Sequence, residues 1–398
     1  MSKTDPEKIK ELLERGIENI FPSKEALEQR LKSGHKISVY LGIDPTSPDL
    51  HLGHLTNFLI LKRFINLGHE IFLLIGDFTA QIGDPTGKDT TRTPLTKKQV
   101  LENAKTYKNQ IGKVLDLRKI KFIFNSKWLE KMSFMDVVKL TSHFTVQQMI
   151  AREMFQKRLS QSQPVGLHEF LYPLMQGYDS VALKIDAEIG GNDQTFNMLI
   201  GRDLEKEYLN KEKFVIATKL LINPVTGKKL MSKSEGGYIS LEGSPGDLFG
   251  KSMTLPDEVI FDCLEFCTEI PLGKIAELRK DILDNKLNPR DVKELFAFEL
   301  VKILYDQSTA FKTKEEFDRV FKQKQLPEGG PVFKLKGPES IINILTKTNL
   351  APSSSEAKRL IRQKAVDFNN RTIESWDETI DEAGVLKVGT HRFVRIEK

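Results

Sequence analysis

From Ile37 the chain alternates. Ile37, Val39, Leu41 and Ile43 take every second position, the period of a strand with one buried face. Asp44-Pro45-Thr46-Ser47-Pro48 breaks that strand, a helical stretch runs on to about Leu67, and Gly68 stops it. The run Ile71-Phe72-Leu73-Leu74-Ile75 follows without a polar break, as parallel strands covered on both faces do. Strand, helix and strand in about forty residues predict a βαβ unit with a right-handed crossover, and so an α/β opening half around a parallel sheet.

Ahead of this unit, residues 5 to 33 place Ile9, Leu12, Leu13 and Ile17 at helical spacing among charges, which predicts one or two surface helices. Behind it, residues 95 to 160 read as largely helical, with a strand at Ile120 to Phe124, and interrupt the sheet as an insertion. A second α/β portion runs from about Leu171 to Ser240. Charged helices follow (Pro256 to Cys267, Leu272 to Leu283, Pro289 to Leu304), and Pro327-Glu328-Gly329-Gly330-Pro331 has the composition of a linker. The expected organisation is an α/β domain at 1–240 with a helical insertion at about 115–170, a helical domain at 241–325, and a small α+β module at 332–398.

Composition narrows the class without naming a function. A formal charge of +5 on 398 residues excludes a polycation yet allows a local basic surface. Cys263 and Cys267 stand four apart in a predicted helix, too far along its axis for an easy disulfide, and are expected to be buried thiols rather than half a metal site. The N-terminal residues lack an apolar signal core and no run of about 18 apolar residues occurs, so a cytoplasmic protein is expected.

The candidate chemistry begins at His51-Leu52-Gly53-His54, which opens the first predicted helix. Two imidazoles at i, i+3 share one side of its first turn, where unpaired N–H groups and the helix dipole favour a phosphate, and Gly53 lets a nucleotide approach the backbone. Two surface histidines on an ordinary helix start would look the same. Gly83-Asp84-Pro85-Thr86-Gly87-Lys88 is too short for a P-loop and continues with Asp89, and no G-x-G-x-x-G follows the first strand. Any ATP is therefore held another way. Tyr172, Gln176 and Asp179 at i, i+4 and i+7 put three polar groups on one apolar helix face; left unpaired in the interior each would cost about 1–3 kcal/mol. Such a face either lines a ligand cavity or forms a buried network. The turn Gly190-Gly191-Asn192-Asp193-Gln194 presents a carboxylate suited to ribose hydroxyls and an amide suited to a carboxyl.

These motifs, with Tyr40-Leu41-Gly42-Ile43-Asp44-Pro45-Thr46 and Met231-Ser232-Lys233-Ser234, come in the order of a class I aminoacyl-tRNA synthetase, and the chain resembles the bacterial tyrosyl-tRNA synthetases over nearly its whole length. The resemblance implies a Rossmann-like nucleotide-binding sheet, ATP with Mg2+ but no protein metal cage, and a homodimer. Its substrates would be L-tyrosine, ATP and tRNA(Tyr). It places the phenol-binding pair on Tyr40 and Asp179, the ammonium-binding set on Asp84, Tyr172 and Gln176, and the carboxyl contact on Gln194. ATP would meet Gly42, Asp44, Gly53, Gly191, Asp193, Met231, Ser232 and Lys233. Thr46 and His51 fall where the family stabilises the phosphorus under attack, His54 supports the nucleotide, and Lys88, Arg92 and Lys233 match cations that grip pyrophosphate. The chain departs from the pattern at Leu230, where the family's lysine motif begins with lysine; Lys229 stands one place earlier. In the last module Ser353 and Glu356 form a capping-box pattern, and Lys358, Arg359 and Arg362 gather on one side of the helix that follows. That module resembles a small RNA-binding domain named after a ribosomal protein, which implies a tRNA contact there. A tryptophan-specific relative, a small-metabolite nucleotidyltransferase and an RNA-binding protein on a disused synthetase body are the alternatives.

Overall fold

The structure, a computed structural model, describes residues 4–86, 94–231, 238–319, 331–369, 371–389 and 392–398. Lys88, Arg92, Ser232 and Lys233 therefore lie outside the described residues. Among the described residues the central sheet has strands β1 (Ile17–Phe21), β2 (Ser38–Ile43), β3 (Glu70–Ile75), β4 (Ile120–Phe124), β5 (Ala187–Gly191) and β6 (Phe214–Thr218). Their spatial order is β1-β6-β5-β2-β3-β4. β1 runs antiparallel to β6 and every other pair is parallel.

The chain moves outward from β2 through β3 to β4, then returns to the other side of β2 for β5 and β6. Winding reverses between β2 and β5, and loops leaving those two strands diverge to open a crevice at their carboxyl ends. The alternation in β2 predicts a single buried face, yet Tyr40 on the other face is also 0% exposed, because this central strand is covered on both sides. Val39, Leu41 and Ile43 are buried, while Tyr40 sits in register between Phe72 of β3 and Glu188 of β5, so these three leave the same face. The strand expected at Ile120 to Phe124 is a member of the sheet, and the helices Phe134–Thr141, Val146–Ile150 and Glu153–Ser160 come after it.

The Leu167–Leu183 and Thr195–Leu209 helices pack closely together. A Cβ on Gly177 would lie 2.6 Å from Ile200 Cγ2 and 3.0 Å from the Gly201 nitrogen, so glycine sets their approach. That closeness brings Gln176, Asp179 and Ser180 of the first helix over the ends of the central strands.

Residues 1–314 form one compact unit and 315–398 another. The helical stretch expected as a domain at 241–325 thus falls, up to Lys314, inside the first unit. Its ties to the sheet region are specific. The fully buried Arg15 donates to the carbonyls of Glu265 at 2.8 Å and Thr268 at 2.7 Å, satisfying the end of the Ile260–Cys267 helix. Cys267 Sγ lies 3.6 Å from Thr56 Oγ1 on the Leu52–Asn66 helix. Both cysteines are free and buried, and burial pushes the Cys267 thiol up to about 12, which leaves it unreactive.

In the second unit the strands Arg371–Thr372, Val366–Phe368, Gly384–Val388, Arg392–Glu397 and Val332–Lys334 form a sheet in that order, with the helices Ile341–Lys347 and Ser354–Arg362. Ile344, Leu345, Leu360, Ile361, Phe368 and Leu386 belong to its own core. Ser353 caps the second helix by accepting from the Glu356 nitrogen at 3.2 Å. Lys358, Arg359 and Arg362 are exposed; Glu356 holds Arg359 at 2.6 Å, and Arg362 lies 5.8 Å from the Trp376 ring centre. Among the described residues no helix is long and apolar enough to cross a membrane.

Candidate active site

The histidine cluster folds as a reciprocal cap. His51 is the N-cap of the Leu52–Asn66 helix: its Nδ1 accepts from the Gly53 nitrogen at 3.1 Å, while His54 Nδ1 accepts from the His51 nitrogen at 3.2 Å. Accepting at Nδ1 leaves the proton of each neutral ring on Nε2, which makes that nitrogen a donor in both imidazoles. The rings lie 4.0 Å apart. Burial pushes the His54 imidazole down to about 4, which keeps it neutral near pH 7. Glycine at 53 leaves room for the folded-back ring, since a Cβ there would stand 3.1 Å from His51 Cε1.

Residues on either side of the Ser232–Gly237 segment pack against this cluster. Leu52 donates to the Ile239 carbonyl at 3.1 Å and Leu241 to the Leu50 carbonyl at 2.9 Å, a two-bond backbone strap. The Tyr238 ring meets His51 edge-on at 5.5 Å. On the other side Leu230 donates to the Leu221 carbonyl at 2.8 Å, and Met231 is buried with its Cγ 3.9 Å from where a Cβ on Gly53 would sit. Leu230, which replaces the lysine of the motif, is buried too, whereas Lys229 reaches out to Asp193 Oδ2 at 2.5 Å.

A cavity of about 250 Å³ occupies the crevice where the winding reverses. Its wall brings together Tyr40 and Gly42 of β2, Asp44 and Thr46 just beyond it, His54, Asp84, the helix residues Tyr172, Gln176 and Asp179, Gly191 at the end of β5 and Gln194 after it. Eleven expected residues, scattered from position 40 to 194, thus share one wall. Gly53, Asp193 and Met231 are not part of that wall, nor is His51, whose ring lies 4.0 Å from that of His54.

Each acidic group on the wall is oriented by donors. The Tyr172 hydroxyl donates to Asp44 Oδ2 at 2.9 Å and Thr79 Oγ1 to Asp44 Oδ1 at 2.7 Å. Gln194 Nε2 donates to Asp84 Oδ2 at 2.8 Å. Asp179 accepts from Trp128 Nε1 at 2.7 Å and from Asn125 Nδ2 at 3.2 Å. Burial pushes the Asp179 carboxyl well above the usual range, against those two donors. The Tyr40 hydroxyl turns to Ser180 Oγ at 3.1 Å and not onto Asp179, so the expected phenol pair borders one cavity without bonding to itself. Burial first, then Glu188 and Asp179, raise the Tyr40 hydroxyl far above the usual value and keep it protonated.

Sequence reasoning missed two residues of the wall, Asn57 and Glu188, and two that hold Asp179, Asn125 and Trp128. Asn57 follows His54 by three positions on the same helix face, a spacing visible in the sequence. Glu188 interrupts the apolar strand Ala187-Glu188-Ile189, and a charge in such a run is also a visible signal. Asn125 and Trp128 carry no such signal, because only the position of β4 beside β3 brings them to Asp179. Among the described residues no group of three or more His, Cys, Asp or Glu side chains is placed to hold a metal ion.

A doubly wound parallel sheet, a polar cavity at its winding reversal and paired imidazoles at a helix start define a nucleotide-binding α/β enzyme. A family model described as tRNA synthetases class I (W and Y) matches residues 32–322. The tyrosine–tRNA ligase of Carboxydothermus hydrogenoformans is 44% identical over 398 residues, covering 97% of both chains. That of Thermotoga maritima is 42% identical over 393 residues, covering 98% of both. Among solved structures, a tyrosyl-tRNA synthetase from Archaeoglobus fulgidus complexed with L-tyrosine aligns with a TM-score of 0.61 at 24% identity, over 77% of this chain and 99% of that one. The chain belongs to the class I tRNA synthetases, in their tryptophan and tyrosine family.

Proposed function

We propose that the chain is a tyrosine–tRNA ligase. The observation that carries this reading is Asp179: a buried carboxylate, held by two donors, that keeps acceptor capacity in the same cavity as His54 and the acidic–amide pair Asp84 and Gln194. A phenol hydroxyl donates to Asp179, the substrate ammonium meets Asp84, Tyr172 and Gln176, and its carboxylate lies by Gln194. That carboxylate attacks the α-phosphorus of ATP, forming tyrosyl-adenylate and releasing pyrophosphate; a ribose hydroxyl at the 3′-terminal adenosine of tRNA(Tyr) then takes the acyl group. The protein acts by orienting the reactants and offering donors where charge develops. Thr46, His51 and His54 serve the phosphate, Gly42, Asp44, Gly53, Gly191, Asp193, Met231 and Ser232 the rest of the nucleotide, and Lys88, Arg92 and Lys233 the pyrophosphate. Magnesium enters with ATP as part of that substrate. The reading sets this chemistry in the cytoplasm, on a catalytic part at 1–240 with a helical part at 241–325.

The module at 332–398 is assigned to tRNA through Lys358, Arg359 and Arg362. Tyrosine should drive ATP–pyrophosphate exchange in the full chain, whereas residues 1–319 alone should keep exchange and lose most tRNA charging. Equal exchange with tryptophan, or none with any amino acid, sinks the assignment; equal loss of both activities on truncation removes the RNA role.

A homodimer is supported by exposed apolar side chains on the helices after β4. Phe134 is 84% exposed, Met135 71% and Val146 64%, more than single scattered residues on a monomer surface call for. Sedimentation should give twice the chain mass, and Phe134→Lys with Met135→Lys should give one. A double variant that remains dimeric places the interface elsewhere.

A further inference from the structure

At the cavity wall Glu188 forms an ion pair to which the reaction scheme gives no part. Lys213, the residue before β6, and Glu188 of β5 meet at 2.5 Å, their side chains 0% and 2% exposed. Removing two charges from water takes back most of their attraction, so stability alone is a weak reason for the pair. Its surroundings suggest another. Glu188 pairs in register with Tyr40 on one side and Val215 on the other, and Lys213 precedes Val215 by two, so the charged pair and Tyr40 leave the same face of the sheet. Glycine at 201 makes the room, since a Cβ there would stand 2.5 Å from Lys213 Nζ and 2.7 Å from Ser180 Oγ.

From this pair hydrogen bonds run to both ends of the cavity. Lys213 Nζ donates to Ser180 Oγ at 2.7 Å, and Ser180 Oγ lies 3.1 Å from the Tyr40 hydroxyl. On the other arm Glu188 Oε1 accepts from Gln176 Nε2 at 3.2 Å, and Gln176 Oε1 accepts from Asn197 Nδ2 at 2.9 Å. Asn197 Nδ2 also reaches Gln194 Oε1 at 3.0 Å, and Gln194 Nε2 reaches Asp84.

The two charges give this network a direction. A carboxylate can only accept, so Gln176 must turn its NH2 to Glu188 and leave its oxygen for other donors; an ammonium can only donate, so Ser180 must accept from Lys213 and keeps its own proton for Tyr40. Ser180 then bonds to the Tyr40 oxygen and Glu188 holds the Tyr40 proton, so both members of the charged pair set how that hydroxyl faces the ring end of the ligand. A flipped Gln176 would instead point its NH2 at a positive amino group.

We propose that Lys213, through its pair with Glu188, is a positioning residue of the amino acid pocket, fixing the donor and acceptor sense of Tyr40 at the ring end and of Gln176 at the amino end. The proposal rests on the tyrosine reading. Ligands that match both ends, a phenol and an ammonium, are favoured together because one buried pair orders both.

Lys213→Met with Glu188→Gln removes both charges at similar volume. Tyrosine and ATP dissociation constants by titration calorimetry, with the thermal midpoint, give the test. The expected result is tyrosine binding weakened ~10-fold or more with ATP binding and the midpoint near wild type. Tyrosine bound as tightly as by the wild type, at an unchanged midpoint, makes the pair merely structural and overturns the proposal. If the double variant does not fold, Ser180→Ala decides: tyrosine affinity should fall ~5-fold or more while phenylalanine affinity holds, and an unchanged ratio overturns it. Wild-type chain that binds tyrosine without catalysing exchange strikes the ligase reading and leaves this one standing; wild type that binds no tyrosine defeats both.

Discussion

Asp179→Asn is expected to lower kcat/KM for tyrosine in pyrophosphate exchange by ~10² to 10³ and to shrink the preference for tyrosine over phenylalanine by a similar factor, ~3–4 kcal/mol. Asp179 is 1% exposed, and both of its oxygens already accept a bond, from Trp128 and from Asn125. Each oxygen keeps a lone pair for an incoming hydroxyl. An amide at this position must aim its NH2 at one of those two donors or at the substrate. Asn125 cannot flip to accommodate it without cost, because its Oδ1 accepts from the Phe78 nitrogen at 3.0 Å. A buried donor set against a donor costs about 1–3 kcal/mol, and the lost bond to the phenol adds to it. Steady-state exchange with the two amino acids checks this. A variant that prefers tyrosine as strongly as the wild type takes Asp179 out of the specificity role.

His51→Asn is expected to cut kcat by ~10² to 10³ while tyrosine affinity and the thermal midpoint stay close to wild type. Asparagine is a good helix N-cap, so the Gly53 nitrogen keeps an acceptor and the helix keeps its start. What disappears is the ring's Nε2–H donor. Single-turnover adenylate formation reads the effect, and a loss confined to tyrosine binding contradicts the role. The neighbouring His54 fixes the pH dependence. With its value pushed down to about 4 from the ordinary 6.5, it stays neutral and does not titrate between pH 6 and 8. Between pH 4 and 6.5 the unfolded chain holds more protons on this ring than the folded one. Its contribution to stability is therefore fully present above about 6.5 and is lost as the pH falls toward 4.

Local pattern carried much of this. The alternation from Ile37 to Ile43, the breaker at Asp44 to Pro48 and the apolar run from Ile71 predict β2, the helix start and β3, and those are the elements that hold Tyr40, Asp44 and the histidine pair. Tyr172, Gln176 and Asp179 share a face because helical spacing alone puts them there. What local pattern could not supply was strand order. Only the reversal between β2 and β5 sets Glu188 beside Tyr40, and only β6 next to β5 delivers Lys213 to Glu188. The partners of Asp179 depend in the same way on β4 lying against β3. The turn of the Tyr40 hydroxyl toward Ser180 likewise follows from a buried cation 33 positions beyond that serine. Leu230 reads as a departure in the sequence; in three dimensions the side chain packs inward and Lys229 reaches Asp193.

The chain has only two tryptophans, and Trp376 belongs to the second unit. Indole emission from residues 1–314 therefore originates at Trp128 alone, whose N–H rests on the Asp179 carboxylate. Whatever alters the electric field at that carboxylate also alters the colour of the light the indole gives off, so the molecule carries its own optical gauge of what sits in its pocket.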